Sequence, residues 1–323
     1  MNEIQSPPEL VIFDGTAMLF RAFFGMRGIF APDGTDVSGI FGASQTLLKQ
    51  MRQLKPKHVA VVFDMGPKTF RNTIFPEYKA NRDEPPEALI PQFDLIHELF
   101  DVLGFACYGV LDFEADDVMA TLSRLAREAG MSTRMINSDK DLCQLVNDEA
   151  PAIVLHDLGK GKLYDTEGVI KKLGVPPHLV IDYQSLVGDS TDNIAGVKGV
   201  GPKTALALIE AFGTLEDIYA NLENIPTLSV RGAKKLPQKL EEHKESAFLS
   251  KQLVTLRQDV ELPVTHENIM EVTVWNGPKG EPADLFFDKM GFHRQLTGMR
   301  QLAELGDAAP TLPSFEEVDD LPW

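Results

Sequence analysis

Cysteine is scarce in this sequence. The 323 residues include two cysteines, Cys107 and Cys143, and both lie in apolar surroundings, GFACYGV and DLCQLV. Disulfide-stabilised small proteins and zinc-binding domains need several cysteines at short, regular spacings. Both classes are therefore excluded, and we expect two buried thiols.

Long apolar runs are also missing. No stretch approaches the roughly 20 apolar residues that a membrane-spanning helix requires, and the segment MNEIQSPPELVIFDG has neither the basic region nor the apolar core of a signal peptide. The composition, with 43% hydrophobic and 24% charged residues, is typical of a globular protein. These features predict a soluble, cytoplasmic protein without a membrane partner, which we expect to be a monomer.

Basic residues are few compared with acidic ones. The chain has 31 Lys and Arg against 48 Asp and Glu, which gives a formal net charge of −17 at pH 7. Because phosphates are usually bound by Lys and Arg, this imbalance at first argues against nucleic acid as a partner. The length allows one large domain or two of ordinary size.

The first half of the chain alternates short apolar runs with helical patterns. Continuous apolar runs predict buried strands, and apolar residues at helical spacing predict helices between them; the strands are expected at 9–14, 58–64, 104–110, 132–139 and 152–157, and the helices at 37–54 and 115–130. This alternation is typical of a parallel sheet that is covered on both faces. The sequence therefore predicts an α/β fold with a central, mostly parallel sheet flanked by helices.

The second half has a helical pattern without strands. Short helices are predicted at 166–174 and 176–188, a pair of small helices between 195 and 222, a basic helical stretch at 231–251 and closing helices at 281–302. The last segment, AELGDAAPTLPSFEEVDDLPW, is rich in proline and acids and predicts a disordered tail. We therefore predict an α/β core at 1–188, a helical region at 189–302 and a tail at 303–323.

Acidic side chains follow the predicted strands at the points where the strands end. Asp14, Asp64 and Asp139 each come after a buried strand, and the segments FEADD, SDKD and GDSTDN supply further acids. The carboxyl ends of parallel strands meet at one edge of the sheet, where ligands bind. The acids expected to converge there are Asp14, Asp64, Glu114, Asp116, Asp117, Asp139, Asp141, Asp189 and Asp192.

A single one of these acids could simply cap a helix. The whole set would repel or stay protonated unless cations neutralised it. Oxygen ligands without cysteine and with little histidine favour Mg²⁺ or Mn²⁺. Two such ions close together are the usual means of hydrolysing phosphodiesters.

Four motifs stand in order along the chain: VIFDGTAMLFRAFF, VVFDMGPKTFRNTIFPEYKANR, FEADDVMATLSRLA and LVGDSTDNIAGVKGVGPKTALALI. Together they closely resemble the 5′-nuclease family, which includes the 5′→3′ exonuclease domain of bacterial DNA polymerase I and the flap endonucleases. The resemblance covers roughly residues 9–300. It implies a PIN-like core and a free-standing or excised structure-specific nuclease that cleaves 5′ flaps and 5′ ends of DNA, or RNA primers, in replication and repair.

The resemblance also implies the cofactors and partners. Two Mg²⁺ or Mn²⁺ ions are expected, one held mainly by Asp14, Asp64, Glu114 and Asp116, and the other by Asp139, Asp141 and Asp192 with Asp189 nearby. Asp117 matches a further acid of the same cluster. The expected partner is branched or nicked DNA with a single-stranded 5′ end, and DNA polymerase is a candidate protein partner.

The segment KTFRNTIFPEYKANR at 68–82 carries four basic residues and one acid. In the family this stretch belongs to a helical arch, expected here at about 66–90, under which a 5′ end passes. Lys79 and Arg82, which share one face if helical, and Arg21 are the expected catalytic phosphate contacts. Tyr78 is expected to stack on a base and Arg71 to contact DNA. From the residues alone, an ordinary solvated loop is an alternative interpretation of this segment.

A glycine-rich segment, GVKGVGPKTA at 196–205, nearly spells a nucleotide-binding P-loop. Pro202 and the lack of a preceding strand make that interpretation weak. A helix-hairpin-helix turn, whose N–H groups hold a phosphate of duplex DNA and which in the family commonly binds K⁺, is the better one. The expected DNA contacts, including the basic stretch at 231–244, are Gly196, Lys198, Gly199, Gly201, Lys203, Thr204, Arg231, Lys234 and Lys235.

Three other functions stay open. A phosphatase of the HAD type needs a second aspartate where Thr16 stands. A purely structural DNA-binding module would not need acids at several strand ends. A PIN-type ribonuclease would share the acids but not the helix-hairpin-helix.

The excess of acidic residues comes mainly from two parts of the chain. Residues 301–323 contribute six acids without a Lys or Arg, and the predicted metal cluster contributes nine acids. The remainder is nearly neutral and has local basic patches, so the net charge does not exclude nucleic acid. The DDLPW end resembles the tip of bacterial single-stranded-DNA-binding protein, which predicts a protein partner; a solubilising tail is the alternative.

Overall fold

The structure is a computed structural model that describes residues 7–305. Its strands form one sheet of six in the order β3-β2-β1-β4-β5-β6, in which β1 to β5 are parallel and β6 runs antiparallel to β5. The strands are β1 (Glu9–Asp14), β2 (His58–Val62), β3 (Ala106–Tyr108), β4 (Ser132–Ile136), β5 (Ile153–Asp157) and β6 (Lys162–Tyr164). The predicted, mostly parallel sheet is confirmed, and β6 is an addition.

Fourteen α-helices are present in the described range. They are α1 (Gly15–Gly25), α2 (Ser38–Leu54), α3 (Phe70–Ile74), α4 (Ile90–Val102), α5 (Ala115–Glu128), α6 (Thr166–Leu173), α7 (Val180–Val187), α8 (Pro202–Phe212), α9 (Leu215–Ala220), α10 (Leu236–Glu242), α11 (Lys244–Val254), α12 (Ile269–Val272), α13 (Gly280–Met290) and α14 (His293–Leu305). Short 3₁₀ helices lie at 141–145, 177–179, 222–227 and 233–235. None of the described helices is long and apolar enough to cross a membrane.

The central strands are buried on both faces because consecutive residues point into two different cores. Leu10 and Ile12 of β1 pack in one core with α5, whereas Val11 and Phe13 pack in the other with α1, α2 and α4. All four side chains are completely buried. This is why the strand reads as an unbroken apolar run rather than an alternating one.

The closing helices return to the α/β core. Side chains of α13 and α14, including Phe286, Phe287 and Met299, belong to the core that α2 and α4 line. The prediction had placed residues 281–302 with the helical DNA-binding region, and the structure corrects this. The apolar faces of α13 and α14 pack in the core on the side of the sheet opposite to α5.

The first residues of the predicted tail are helical. Residues 303–305 continue α14. The remainder of the predicted tail, its DDLPW end and the protein partner predicted for it fall outside the described residues. Of the two cysteines, Cys143 is buried but Cys107 is exposed; the expectation of two buried thiols was wrong for Cys107, since β3 is an edge strand.

The predicted arch at about 66–90 is helical only in part. A single short helix, α3, opens it, and turns follow, with Lys79 in the left-handed region at φ 57°. We call residues 75–82 the strap, because they cross the carboxyl edge of the sheet. Lys79 and Arg82 lie in these turns, so the helix on which they would share one face is not formed.

The strand order reverses direction at β1. The chain continues from β1 to β2 on one side, and β4 pairs with β1 on the other. Such a switch point opens a crevice beyond the carboxyl ends of the two strands. Gly15 follows β1 directly, and a Cβ on it would lie 2.2 Å from the Phe63 ring, so only glycine allows this close approach.

Candidate metal centre and nucleic-acid interface

The carboxyl edge of the sheet carries the first group of acids. Asp14 ends β1 and caps α1, where its Oδ1 accepts a hydrogen bond from Ala17 N at 2.7 Å. Asp64 follows β2, and its Oδ1 accepts from Ala115 N at 2.9 Å. These bonds fix the two carboxylates beside the start of α5, which carries Asp116.

An asparagine that the sequence analysis missed joins two of these acids. Asn137 follows β4, and its Nδ2 donates to Asp14 Oδ2 at 2.9 Å and to Asp116 Oδ1 at 3.2 Å. Its backbone position, directly after a buried strand and before two predicted acids, was the available signal. Asn137 holds the two carboxylates at one place without neutralising them.

A second group of acids brings three segments together. One carboxylate oxygen from each of Asp141, Asp189 and Asp192 lies within 4.8 Å of the others, so the three could hold one metal ion. Gln184 of α7 donates to Asp141, and Asp139 Oδ1 accepts from Asp141 N at 2.8 Å. Lys140, also missed from the sequence, pairs with Asp189.

The pKa values show how little positive charge balances these acids. Burial and the neighbouring Asp64 raise the pKa of Asp14 to about 7, although Ala17 and Asn137 donate to it. Burial and Asp139 raise the pKa of Asp141 to about 7 and contribute to a pKa of Asp116 that lies well above the usual value. Asp189 differs: burial would raise its pKa, but the Lys140 hydrogen bond and charge lower it.

This donor set fits hard divalent cations. The ligands are carboxylate oxygens without a thiolate or imidazole, which suits Mg²⁺ or Mn²⁺ rather than softer metals. Burial and neighbouring carboxylates raise the pKa values of Asp14, Asp116 and Asp141, and for Asp141 the nearby Lys140 only partly offsets these effects. Asp64 and Asp139 are exposed, so the cluster is open to solvent on one side.

The strap covers part of this cluster. Lys79 Nζ lies 2.6 Å from Glu114 Oε1, and Arg82 Nη2 lies 2.5 Å from Asp192 Oδ1. The Tyr78 hydroxyl is 3.2 Å from Glu114 Oε2. Tyr78 is only 4% exposed, so its predicted stacking on a base is contradicted: its ring packs in a small core with Ile194.

Two further predictions are corrected by one buried ion pair. Arg71, expected to touch DNA, is 1% exposed, and Asp117, expected to bind metal, is 0% exposed. The Arg71 guanidinium donates to both oxygens of Asp117, at 2.6 and 2.8 Å. Both carboxylate oxygens of Asp117 are therefore engaged by the buried guanidinium rather than free for a metal ion, and Arg71 has no surface to offer DNA.

Arg21 lies beside the first group of acids. It is exposed on α1, and its Nη2 donates to Ser138 Oγ at 2.8 Å. It lines, with Asp14 and Asn137, a cleft of about 460 Å³. This position is compatible with the predicted phosphate contact.

The segment between α7 and α8 contains the predicted helix-hairpin-helix turn. Gly201 is the N-cap of α8 without a side-chain hydrogen bond. Pro202 has no N–H group and Thr204 N donates to Gly201 O at 3.0 Å, which leaves the N–H of Lys203 as the donor at the start of this helix. Exposed members of the predicted DNA surface are Lys198, Gly199, Gly201, Lys203, Arg231, Lys234 and Lys235, whereas Thr204 is half-buried.

Gly196 does not belong to that surface. It is buried at φ +62°, and a Cβ on it would lie 2.4 Å from Gly188 N and 2.7 Å from Leu186 O. Its predicted role as a DNA contact is therefore corrected. Gly196 allows the chain to pack against the end of α7 and so fixes the loop that carries Asp189 and Asp192.

Two family models match the chain. One describes the 5′-3′ exonuclease N-terminal, resolvase-like domain and covers residues 9–174; the other describes the 5′-3′ exonuclease C-terminal SAM fold and covers residues 175–276. Among solved structures, T5 5′-exonuclease with bound divalent metal ions (zinc) has a TM-score of 0.62 at 24% identity, over 87% of this chain and 98% of that chain. The catalytic core of Rad2 in complex with a DNA substrate has a TM-score of 0.59 at 19% identity, over 92% of each chain. At these identities the two structures establish the fold.

Relatives of higher identity are bacterial DNA polymerases. DNA polymerase I of Pseudomonas aeruginosa is 43% identical over 317 residues, which are 97% of this chain and 34% of that protein. DNA polymerase I of Bacillus subtilis is 35% identical over 312 residues, 96% of this chain and 34% of that protein. The chain thus spans about a third of the length of these relatives. With family models that cover residues 9–276, the chain belongs to the 5′-3′ exonuclease family.

Proposed function

We propose that this chain is a metal-dependent, structure-specific 5′ nuclease that removes 5′ flaps and 5′ ends from DNA or RNA primers. The observation that carries the proposal is the convergence of acids from β1, β2, α5, β4 and the loop after α7 at one open edge of the sheet. A purely structural DNA-binding protein gains nothing from three neighbouring carboxylates with raised pKa values, Asp14, Asp116 and Asp141.

Two divalent ions, Mg²⁺ or Mn²⁺, are the proposed cofactors. Asp141, Asp189 and Asp192 would hold one of them, with Asp139 beside it, and Asp14, Asp64, Glu114 and Asp116 would hold the other. When bound, such ions activate a water molecule and stabilise a leaving oxygen. For the turn at 196–201 we propose K⁺ as an additional ion.

The basic side chains around the cluster are proposed to bind and orient the phosphate. Lys79, Arg82 and Arg21 reach the cluster from two sides, and donors placed where negative charge develops lower the barrier for phosphodiester cleavage. Each of the three retains an exposed part.

Duplex DNA is proposed to lie along the start of α8. The backbone N–H of Lys203, together with the side chains of Lys198 and Lys203, can hold phosphates without reading the bases. The relatives are DNA polymerases I, so a polymerase that extends the neighbouring strand is the proposed protein partner.

The proposal is tested with a 5′-labelled flap substrate in Mg²⁺ and in EDTA. We expect chelator-sensitive cleavage that Asp116→Ala abolishes while DNA binding is retained. Asp101→Ala, which removes an exposed carboxylate paired with Lys279, is the matched control and should cleave like the wild type. Cleavage by Asp116→Ala in Mg²⁺ would contradict the assignment. A single-stranded RNA that is cut equally well without duplex would favour the PIN-type ribonuclease instead.

A further inference from the structure

One buried arginine joins three parts of the molecule that are far apart in sequence. Arg71 lies in α3, at the base of the strap. Its Nε donates to Leu253 O at 2.7 Å and its Nη2 to Thr255 O at 3.2 Å, in addition to the two bonds with Asp117. Almost every donor of the guanidinium is used, although the side chain is only 1% exposed.

Asp117 transmits this contact to the start of α5. Its Oδ2 accepts from Glu114 N at 3.1 Å in a capping box, and its Oδ1 accepts from Arg257 N at 2.9 Å. The carboxylate therefore fixes the backbone of Glu114, which is the acid that Lys79 contacts. It also fixes the segment that follows α11.

The strap contacts the same part of the helical region as Arg71. Tyr78 packs with Leu253 and Val254, the residues at the end of α11 whose neighbourhood Arg71 also grips. Lys79 N donates to Asp192 O at 3.1 Å. The strap thus contacts the helical region and the acid cluster at once, while Arg71 holds its base to both.

We propose that the Arg71–Asp117 pair is a positioning device that sets the strap, and with it Lys79, over the metal centre in register with the helical DNA-binding region. The reason is geometric. The planar guanidinium of Arg71 donates both to the two carboxylate oxygens of Asp117 in α5 and to the carbonyls of Leu253 and Thr255 at the end of α11. A lysine ammonium cannot make this set of hydrogen bonds. This rests on the proposed function as far as catalysis is concerned. A pair with only a structural role would instead stabilise the whole fold, without a specific effect on the strap.

The primary test is hydrogen exchange of the strap amides in Arg71→Lys. We expect exchange in residues 75–82 to accelerate at least tenfold, while amides of α2 and β1 keep their wild-type rates. Arg134→Lys is the matched control, because Arg134 forms a similar forked pair with Glu9 at the far end of β1 and β4; it should leave the strap unchanged. If Arg71→Lys does not fold, Asp117→Asn provides the same measurement. Unchanged strap exchange, or equal acceleration throughout the protein, would overturn the proposal.

A double-mutant cycle tests the consequence for cleavage. Arg71→Lys should slow single-turnover cleavage at saturating DNA at least tenfold, with DNA affinity within threefold of the wild type. In a Lys79→Ala background the same change should cost less than threefold, because the residue it positions is gone. Fully additive effects would contradict positioning through Lys79. A wild type without flap cleavage would refute the proposed function alone, since hydrogen exchange still decides whether the pair positions the strap.

Discussion

The ammonium nitrogen of Lys79 lies 2.6 Å from Glu114 Oε1 and 3.8 Å from Asp192 Oδ2. One side chain of the strap thus contacts an acid at the start of α5 and an acid in the loop after α7. Burial alone would lower the pKa of Lys79, but the charges of Glu114 and Asp192 outweigh it and raise the pKa. The lysine therefore stays protonated at the metal centre, where it can also meet a phosphate.

The first prediction follows from this position. Lys79→Ala should reduce the single-turnover rate of flap cleavage by about 10²-fold, because it removes one donor to developing charge. DNA affinity should change less than threefold. Rapid-quench kinetics and a binding titration measure the two effects. Lys171→Ala, which removes an exposed lysine paired with Glu167, serves as control. An unchanged rate would remove Lys79 from the catalytic machinery.

The second prediction concerns pH and the raised pKa of Asp14. Folding moves this pKa from 3.8 to about 7, so the folded protein holds the proton more tightly than the unfolded chain. The contribution of Asp14 to the free energy of unfolding therefore falls as the pH rises between about 4 and 7 in the absence of metal. Each unit of pKa shift corresponds to about 1.4 kcal/mol.

Urea unfolding in EDTA at pH 5 and pH 8 measures this contribution. Relative to wild type, Asp14→Asn should gain at least ~1 kcal/mol of stability between the two pH values. His58, His97 and His156 have lowered pKa values, so their contributions to the free energy of unfolding rise with pH, opposite to that of Asp14. These contributions are the same in both proteins and cancel in the comparison. Mg²⁺ should stabilise the wild type more at pH 8 than at pH 6. A constant difference between the two proteins would contradict the raised pKa of Asp14.

The third prediction separates two glycines of the turn after α7. Gly196 has φ +62° and lies against Gly188 and Leu186, whereas a Cβ on Gly201 would have nothing within 4 Å. Gly196→Ala should therefore lower the free energy of unfolding by at least ~2 kcal/mol. Gly201→Ala should stay within ~0.5 kcal/mol of the wild type. Equal stabilities of the two variants in urea would show that the turn adapts to a side chain at Gly196.

The fourth prediction concerns the salt dependence of duplex binding. If Lys198 and Lys203 each contact a phosphate, the double substitution to alanine should reduce the slope of log affinity against log salt by about two. Fluorescence anisotropy between low and moderate salt measures this slope. The single-turnover rate with saturating DNA should remain close to wild type. A slope that does not change would place the duplex elsewhere.

Much of the metal centre could be predicted because its ligands follow directly from strand ends. A buried strand has a clear apolar signal, and parallel strands must end at the same edge, so the sequence alone places Asp14 and Asp64 together. The same reasoning passed over Asn137 and Lys140, since an amide or a lysine in a polar turn looks like ordinary solvated sequence. Their roles depend on which side chains lie opposite.

Three of the predictions that failed concern charged or polar residues whose neighbours come from distant segments. Arg71 and Asp117 were assigned to DNA and to metal by their chemistry and by the family resemblance, yet each is the other's partner. Tyr78 was predicted to stack on a base, but its ring packs in the small core that contains Ile194.

The sequence by itself determined the mostly parallel sheet, the helical second half and the acids at the carboxyl edge, because apolar periodicity and the alternation of strands with helices can be read locally along the chain. Only the tertiary structure decided which charges face each other. Arg71 turned from an expected DNA contact into a buried anchor because Asp117, Leu253 and Thr255 meet it in space. A charged side chain can be buried only where oppositely charged or hydrogen-bonding groups surround it, and the chain order does not reveal where those groups converge.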